Sequence, residues 1–222
     1  MQDGTYDLTV TDANFCTATL SVTLTEPTAI VLSNTRVNVS CFGGNNGSIN
    51  LTVVGGTPGY TYSWTGPSGY TSIIQDPINL IAGNYFVTVT DANNCTATRT
   101  VVITQPTDLT VTETHIDVSC NGGNNGSIDI TAAGGTIPYS YSWTGPSGFT
   151  SILPDISSLY AGVYNLTITD NRLCTELLTV TISEPVAISI TDIHTDVSCD
   201  GGSDGTIDIT VSNGTPPYGY SW

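Results

Sequence analysis

The sequence contains no lysine, and its only basic side chains are three arginines, set against 19 acidic residues. The formal net charge of −16 disfavours binding to nucleic acid or to an anionic membrane surface, because both of those partners are negative. The lack of lysine also excludes lysine–asparagine isopeptide bonds as covalent staples. The acidic surface suits an exposed, soluble protein, and it offers ligands to divalent cations.

Long hydrophobic runs are also absent, and none approaches the roughly 20 residues that a membrane-spanning helix needs. The opening residues, Met1-Gln-Asp-Gly4, have neither the basic nor the apolar region of a secretory signal. Strong helix formers are scarce, whereas threonine, valine, isoleucine, tyrosine and glycine dominate, and this composition predicts an all-β fold. We expect no membrane insertion by this segment.

One pattern recurs along the chain, at Asp3–Thr19, Ala82–Thr98 and Ala161–Leu177. Three sets of equivalent residues are each spaced by 79 positions: Cys16, Cys95 and Cys174; Cys41, Cys120 and Cys199; Trp64, Trp143 and Trp222. A register held without insertion predicts a tandem array of one small domain. The chain begins and ends within a repeat, so we expect it to belong to a longer protein that carries its targeting signals elsewhere.

The recurring stretch has the pattern of a β-hairpin. Tyr85, Val87 and Val89 alternate with polar or exposed positions, which is the period of a strand with one buried face. Asp91 to Asn94 supply a turn, because Asp and Asn tolerate left-handed geometry and hydrogen-bond their own backbone. A second strand then runs towards Ile103.

Proline residues mark the predicted domain joints, at Glu26-Pro27, Gln105-Pro106 and Glu184-Pro185. The chain then divides into the last hairpin of one repeat (1–26), two complete repeats (27–105 and 106–184) and the start of a fourth (185–222). About seven short strands in each complete repeat, with an aromatic residue on the third, predict tandem immunoglobulin-like β-sandwich repeats of 79 residues. Trp64 is the expected core residue, and Tyr85 is placed to bond back to a loop backbone.

Three motifs resemble the SprB repeat family. They are V-S-C-x-G-G-x-x-G-S-I at Val39–Ile49, G-G-T-x-x-Y-x-Y-S-W-T-G-P-S-G at Gly55–Gly69, and A-G-x-Y-x-V-T-V-T-D-A-N-x-C-T-A-T at Ala82–Thr98. The resemblance covers the whole chain and identifies no catalytic residue. It implies an extracellular, cell-surface location, export by type IX secretion, and a structural role in a long adhesin for gliding motility or surface attachment. The partners it implies are neighbouring repeats of the same long chain.

The residues give no sign of an enzyme. His115 and His194 share a repeat position with Arg36, and a general base or metal ligand would not become arginine and keep its role. We therefore expect all three on the surface. No serine lies in a nucleophile-elbow context, and the glycine loop lacks the lysine of a phosphate-binding loop.

Calcium is the one cofactor that the sequence raises. Asp196, Asp200, Asp204 and Asp208 present carboxylates at a regular spacing, which a hard cation accepts. The equivalent residues in the other repeats include Asn38, Phe42 and Asn46, so an obligatory site in every repeat is not expected. In the third hairpin, Asp170-Asn-Arg-Leu173 replaces the usual turn.

Six cysteines at two positions per repeat predict disulfides. Cys41 is expected at the far end of the first strand and Cys95 at the opposite end of the domain, because strands of this length span about 27–30 Å. Bridged Cα atoms lie within about 7 Å, which favours a Cys41–Cys174 bond from one domain to the next. Pairing within domains, Cys41–Cys95 and Cys120–Cys174, is the alternative, and Cys16 and Cys199 complete the set of candidates.

Two other functions remain open at this stage. The terminal pieces, 1–26 and 185–222, supply 64 of the 79 repeat positions, so like chains could complete a sandwich by strand exchange and form a filament. Alternatively, Tyr70 and Phe149, at one repeat position, could be exposed stacking platforms of a module that binds surface polysaccharide.

Overall fold

The computed structural model describes residues 1–222, and it consists of β-strands with two short 3-10 turns. The chain divides into two compact units, Met1–Gln105 and Pro106–Trp222. Each unit contains one complete domain, which we call the first domain (27–105) and the second domain (106–184). No helix has the length and hydrophobicity needed to span a bilayer.

Unit 1 begins with a hairpin and continues into seven further strands. The hairpin is formed by β1 (Gly4–Thr11) and β2 (Thr17–Leu24), and we call it the N-terminal hairpin. The strands of the first domain are β3 (Val31–Val37), β4 (Gly47–Val54), β5 (Thr61–Thr65), β6 (Thr71–Ser72), β7 (Ile78–Leu80), β8 (Gly83–Thr90) and β9 (Thr96–Ile103). A 3-10 turn at Pro67–Gly69 joins β5 to β6.

The seven strands of the first domain form two antiparallel sheets. One sheet has the order β3-β4-β7, and the other has the order β6-β5-β8-β9. Opposed sheets of three and four antiparallel strands are the arrangement of an immunoglobulin-like sandwich, so the predicted fold class is confirmed. The β8–β9 hairpin pairs in register from Gly83 with Ile103 to Thr90 with Thr96.

The core of the first domain lies between the two sheets. Along β8 the inward residues alternate with outward ones, as the sequence predicts, because successive side chains of a strand point to opposite faces. Full burial of each aliphatic side chain contributes about 1.5–3 kcal/mol. The eleven buried hydrophobic residues are Leu32, Val39, Ile49, Leu51, Trp64, Leu80, Tyr85, Val87, Val89, Val101 and Ile103.

Unit 2 repeats this architecture and ends with a hairpin. The second domain comprises β10 (Thr110–Ile116), β11 (Gly126–Ala133), β12 (Ser140–Thr144), β13 (Thr150–Ser151), β14 (Ile156–Leu159), β15 (Gly162–Thr169) and β16 (Thr175–Ile182). Its sheets have the orders β10-β11-β14 and β13-β12-β15-β16. The last two strands, β17 (Ser189–Thr195) and β18 (Thr206–Ser212), form the C-terminal hairpin.

Two tyrosines occupy the corner position that the sequence predicts for Tyr85. The Tyr85 hydroxyl donates to the Ile81 carbonyl at 3.0 Å, and Tyr164 donates to the Tyr160 carbonyl at 3.0 Å. Burial raises the pKa of both phenols. These bonds fix the loop that enters β8 or β15 against the domain core.

The first strand differs from its predicted form. The sequence suggests a strand from Ile30 to about Val39 with a break near Asn34, whereas β3 is unbroken from Val31 to Val37. Asn34 pairs with Leu51 across the sheet, and its side-chain oxygen accepts a bond from Arg99 Nε at 2.6 Å. The asparagine is held in the strand because its amide has a partner on β9.

The two terminal hairpins have no second sheet over their apolar faces. Every residue of β1 and β2 is exposed, although Tyr6, Leu8 and Val10 carry the same alternation as Tyr85, Val87 and Val89. In the C-terminal hairpin, Ile190 and Ile207 are likewise exposed. Trp222 is 85% exposed, whereas Trp64 and Trp143 are each 1% exposed.

Candidate functional site

The hairpin turn of the first domain is built around a buried carboxylate. Asp91 is 4% exposed, and its Oδ1 accepts bonds from the amides of Asn93 (2.9 Å) and Cys95 (2.8 Å). Its Oδ2 accepts a bond from the Thr57 amide at 2.9 Å. The turn that carries Cys95 is therefore fastened to the loop after β4.

Asp170 makes the same set of bonds in the second domain. Its carboxylate accepts bonds from the amides of Thr136, Arg172 and Cys174, each at 2.8 Å. Burial alone would raise the pKa of Asp170, but the Cys174, Thr136 and Arg172 amides outweigh it, and the net pKa is lowered. The Thr57 amide, with those of Cys95 and Asn93, likewise lowers the pKa of Asp91.

Glycine is required where the carboxylate approaches the loop. Gly56 has a φ of +67°, and a Cβ placed there would lie 3.0 Å from Asp91 Oδ2 and 2.7 Å from Ile30 Cγ1. Both the backbone conformation and the available space thus exclude a side chain. Gly135 repeats this contact with Asp170 Oδ2 at 3.0 Å.

The hairpin turn of the second domain has a different sequence from the other two turns. It keeps the same backbone conformation, but that conformation is strained. Asn94 adopts a left-handed φ of 64°, which asparagine tolerates, and Leu173 adopts the same conformation at 66°. The Leu173 side chain is 81% exposed, so packing does not compensate the strain. The carboxylate network, and not the turn sequence, maintains the geometry.

The loop after the first strand of each domain contains a cysteine, and we call it the cysteine loop (38–46 in the first domain and 117–125 in the second). Hydrogen bonds connect it to the last residue of the same domain. In the first domain, the Gly43 amide donates to Gln105 Oε1 at 2.9 Å, and the Ser40 amide donates to Asn46 Oδ1 at 2.9 Å. In the second domain, Glu184 accepts from the Gly122 amide at 2.7 Å and from Asn121 Nδ2 at 3.0 Å. The residue before each joint proline is therefore a structural cap for the loop.

Cys41 and Cys174 are disulfide-bonded, whereas Cys16, Cys95, Cys120 and Cys199 are exposed free thiols. The favoured Cys41–Cys174 pairing is thus the one present. The alternative pairs within domains are wrong for this structure, because Cys95 and Cys120 carry no bond.

The predicted calcium ligands do not assemble into a site. Asp196, Asp200, Asp204 and Asp208 form no metal-binding group, and no cluster of three or more His, Cys, Asp or Glu residues in the chain does so. Asp204 turns back to accept the Ser198 amide at 3.0 Å, and hydrogen bonding by the Ser198 side chain and amide lowers the pKa of Asp204. Asp208 lies within β18, opposite Ile193.

The histidines lie on the surface, as predicted. His115 Nδ1 is 3.0 Å from Glu113 Oε2, and His194 Nδ1 is 2.7 Å from Asp192 Oδ2. Arg36, at the equivalent position, is also exposed.

The two proposed stacking aromatics are not free platforms. Tyr70 and Phe149 are half-buried, and each packs edge-on against a corner tyrosine. The ring centroids are 5.3 Å apart for Tyr70 and Tyr85, and 5.4 Å apart for Phe149 and Tyr164. The rings are half-buried and not fully exposed, because they cover the edge of the core, and ligand stacking on them stays a prediction.

The sequence places Gln105 and Glu184 at domain joints but does not reveal that they cap the cysteine loops, or that Asp91 and Asp170 bind the Thr57 and Thr136 amides. The sequence does contain a pattern that points to the bonds between the aspartates and the Gly-Thr loops. An aspartate precedes each hairpin cysteine by four residues, and a Gly-Thr pair follows each second strand at the same period. Their recurrence suggests contact, but only the folded sandwich places the pairs together.

The family model for the SprB repeat matches residues 33–69, 112–148 and 191–222. No curated protein matches the sequence. Among solved structures, an amphioxus IgVJ-C2 molecule is 17% identical, with 58% of this chain and 90% of that chain covered and a TM-score of 0.30. A Dscam isoform structure is 12% identical (77% and 51% covered, TM-score 0.29), and murine CEACAM1b is 13% identical (70% and 100% covered, TM-score 0.28). Three segments of the chain, which together make up just under half of its residues, therefore match the SprB repeat family.

Proposed function

We propose that this chain is a structural spacer from a long, secreted cell-surface adhesin of the kind used in bacterial gliding and surface attachment. The observation that carries the proposal is that Cys41 and Cys174, one from each complete repeat, are the two disulfide-bonded cysteines of the chain. A bond of this kind is typical of an oxidising, extracytoplasmic location.

The disulfide changes how the chain transmits force. Tension that enters at Cys41 passes through the sulfur bridge to Cys174, so the chain between them is not stretched. That segment contains every strand from β4 to β15. Most of both domains is therefore protected from mechanical unfolding while the bond is intact.

The loop caps support the same role. Gln105 and Glu184, which precede the joint prolines, each accept a hydrogen bond from the cysteine loop of the same domain. These bonds hold the last residue of each domain against a loop of the same domain. The chain performs no chemistry in this proposal, and its partners are neighbouring repeats.

Single-molecule stretching of the 222-residue chain between terminal handles tests the mechanism. Without reductant, the roughly 130 residues between the bonded cysteines should add no contour length, and reduction should release about 45 nm. The Cys41→Ser variant should show the released length under both conditions. Equal contour lengths for the wild type with and without reductant would contradict the proposal. Antibody labelling of intact source cells, with and without surface proteolysis, tests the cell-surface location.

A further inference from the structure

A cavity lies between the 3-10 turn at Pro67–Gly69 and the end of β7 in the first domain. It has a volume of about 260 Å³, and its lining includes Ser68, Tyr70, Asn79 and Tyr85. We propose that this cavity, which we call the sugar pocket, binds one uncharged sugar ring of a neutral polysaccharide. The proposal goes beyond the spacer function. It does not depend on the Cys41–Cys174 bond, because every residue that lines the pocket belongs to one domain.

The turn that forms one wall of the sugar pocket is held in place on β8. The Tyr70 amide donates to the Pro67 carbonyl at 3.0 Å, and the Gly66 amide donates to the Tyr70 carbonyl at 3.0 Å. A Cβ at Gly66 would lie 2.7 Å from Tyr85 Cδ1, and a Cβ at Gly83 would overlap Pro67 Cγ. Glycine at both positions lets the turn pack directly against the strand. A wall that is ordered before the ligand arrives lowers the entropic cost of binding.

Two polar side chains reach the sugar pocket from left-handed backbone positions. Ser68 has a φ of 52° and Asn79 a φ of 58°, and both residues are exposed. Asn79 is the extra residue of a β-bulge, because the pairing of β4 with β7 shifts by one residue there and leaves Asn79 without a partner in the register. A bulge re-aims the side chain of its extra residue. Unfavourable backbone positions of this kind cluster at ligand-binding sites.

The lining of the sugar pocket is aromatic and polar, and none of its residues is acidic or basic. The half-buried Tyr70 ring offers an apolar surface on which the C–H groups of a sugar ring can pack. The Ser68 hydroxyl and the Asn79 amide each donate and accept hydrogen bonds, as sugar hydroxyls do. Burial and the neighbouring Tyr70 raise the pKa of Tyr85, so its phenol stays neutral. The net charge of −16 repels acidic polysaccharides, which leaves a neutral one as the ligand.

The second domain repeats the residues that build the sugar pocket. The sequence is TGPSGYTS at Thr65–Ser72 and TGPSGFTS at Thr144–Ser151. Ser147 and Ser158 have φ values of 53° and 59°, and Ser158 lies at the equivalent bulge, between β11 and β14. Tyr160 is 57% exposed and adds an aromatic ring beside that bulge. Two sites on one chain increase the affinity for a polymer that offers many identical rings.

Affinity electrophoresis of the full chain tests the choice of ligand, in native gels that each contain one polysaccharide. Dextran, mannan, xylan and agarose are the neutral probes, and alginate is the acidic probe. At least one neutral polysaccharide should retard the chain, and alginate should not. Retardation by alginate that equals or exceeds that by every neutral probe would overturn the proposal. An unchanged mobility in all five gels would also overturn it.

The double variant Asn79→Gly with Ser158→Gly tests the site in both domains. Glycine adopts the left-handed backbone without strain, so this change removes the polar groups and keeps the fold. The affinity for the neutral polysaccharide should fall about tenfold, as expected for the loss of about one hydrogen bond per site. Asn94→Gly with Leu173→Gly is the matched control, because it makes the same change at left-handed positions outside the pocket. Wild-type affinity in the first variant, or an equal loss in the control, would contradict the assignment.

Nuclear magnetic resonance of the ¹⁵N-labelled wild type locates the bound sugar without any substitution. An oligosaccharide of the retarding polysaccharide should shift the amide signals of Gly69, Tyr70 and Asn79 and leave that of Asn94 unchanged. Shifts confined to residues outside the Pro67–Gly69 turn and the β7 bulge of the first domain, and outside their equivalents in the second, would overturn the proposal.

Discussion

Trp64 and Trp222 occupy the same position in successive repeats, yet their exposed fractions are 1% and 85%. The same contrast separates Tyr85, at 1%, from Tyr6, at 38%. The residues and their alternation are equivalent, and the difference is the presence or absence of a second sheet. Sequence period thus determines which face of a hairpin can be buried, while the opposing sheet determines whether it is.

Removing the buried indole should have the largest effect. Trp64→Ala should destabilise the first domain by about 3–5 kcal/mol, because it leaves a cavity between the sheets and removes the bond from Nε1 to the Ile74 carbonyl. Hydrogen exchange with mass spectrometry should localise the loss of protection to residues 27–105. Trp222→Ala, measured on the dilute reduced chain, should leave the protection of both domains unchanged. Comparable losses of protection from Trp64→Ala and Trp222→Ala would contradict the distinction between the buried and the exposed indole.

Removing the buried carboxylate of Asp91 should have the second-largest effect on stability. Asp91→Ala leaves the amides of Thr57, Asn93 and Cys95 without their acceptor, and it should lower the melting temperature of the first domain by about 5 °C or more. Asp12→Ala removes the equivalent aspartate from the N-terminal hairpin. There the carboxylate accepts only the Asn14 and Cys16 amides and binds no residue of a complete domain. Calorimetry should detect no change in either domain for that variant.

Acid should weaken the same network. The pKa of Asp91 is lowered from its ordinary value of 3.8 by the Thr57 amide and by those of Cys95 and Asn93. A carboxyl with a lowered folded-state pKa stabilises the fold above its ordinary pKa, and this contribution is lost as the pH falls through the folded-state value. The melting temperature of the first domain should therefore decrease as the pH drops below about 4. Asp91→Asn should reduce that dependence, and an unchanged pH profile would contradict the role of the charge.

The smallest expected effect is a gain in the stability of the second domain. Leu173→Asn should stabilise the second domain by about 1 kcal/mol, because asparagine tolerates the left-handed backbone that leucine adopts there. Asn94→Leu is the reciprocal change in the first domain and should cost a similar amount. Chemical denaturation of the two variants measures both. Changes of the same sign in the two domains would show that turn strain does not set the difference.

Much of the fold could be predicted from the sequence, because strand alternation and the joint prolines are local signals. The tyrosine corner followed from the position of Tyr85 near the start of β8. The bonds from Asp91 to Thr57 and from Gln105 to Gly43 span 34 and 62 positions, so no local pattern encodes them. The partial burial of Tyr70 was not foreseen for the same reason, since it depends on a contact with Tyr85 in β8.

The Cys41–Cys174 bond is the feature on which the spacer function most depends, and peptide mapping of the purified chain without reduction tests it directly. Free thiols are first blocked with an alkylating agent, so that no exchange occurs during digestion. A linked peptide pair that contains Cys41 and Cys174 is the predicted result. A Cys41–Cys95 or Cys120–Cys174 pair would place the disulfides within single domains and contradict the account.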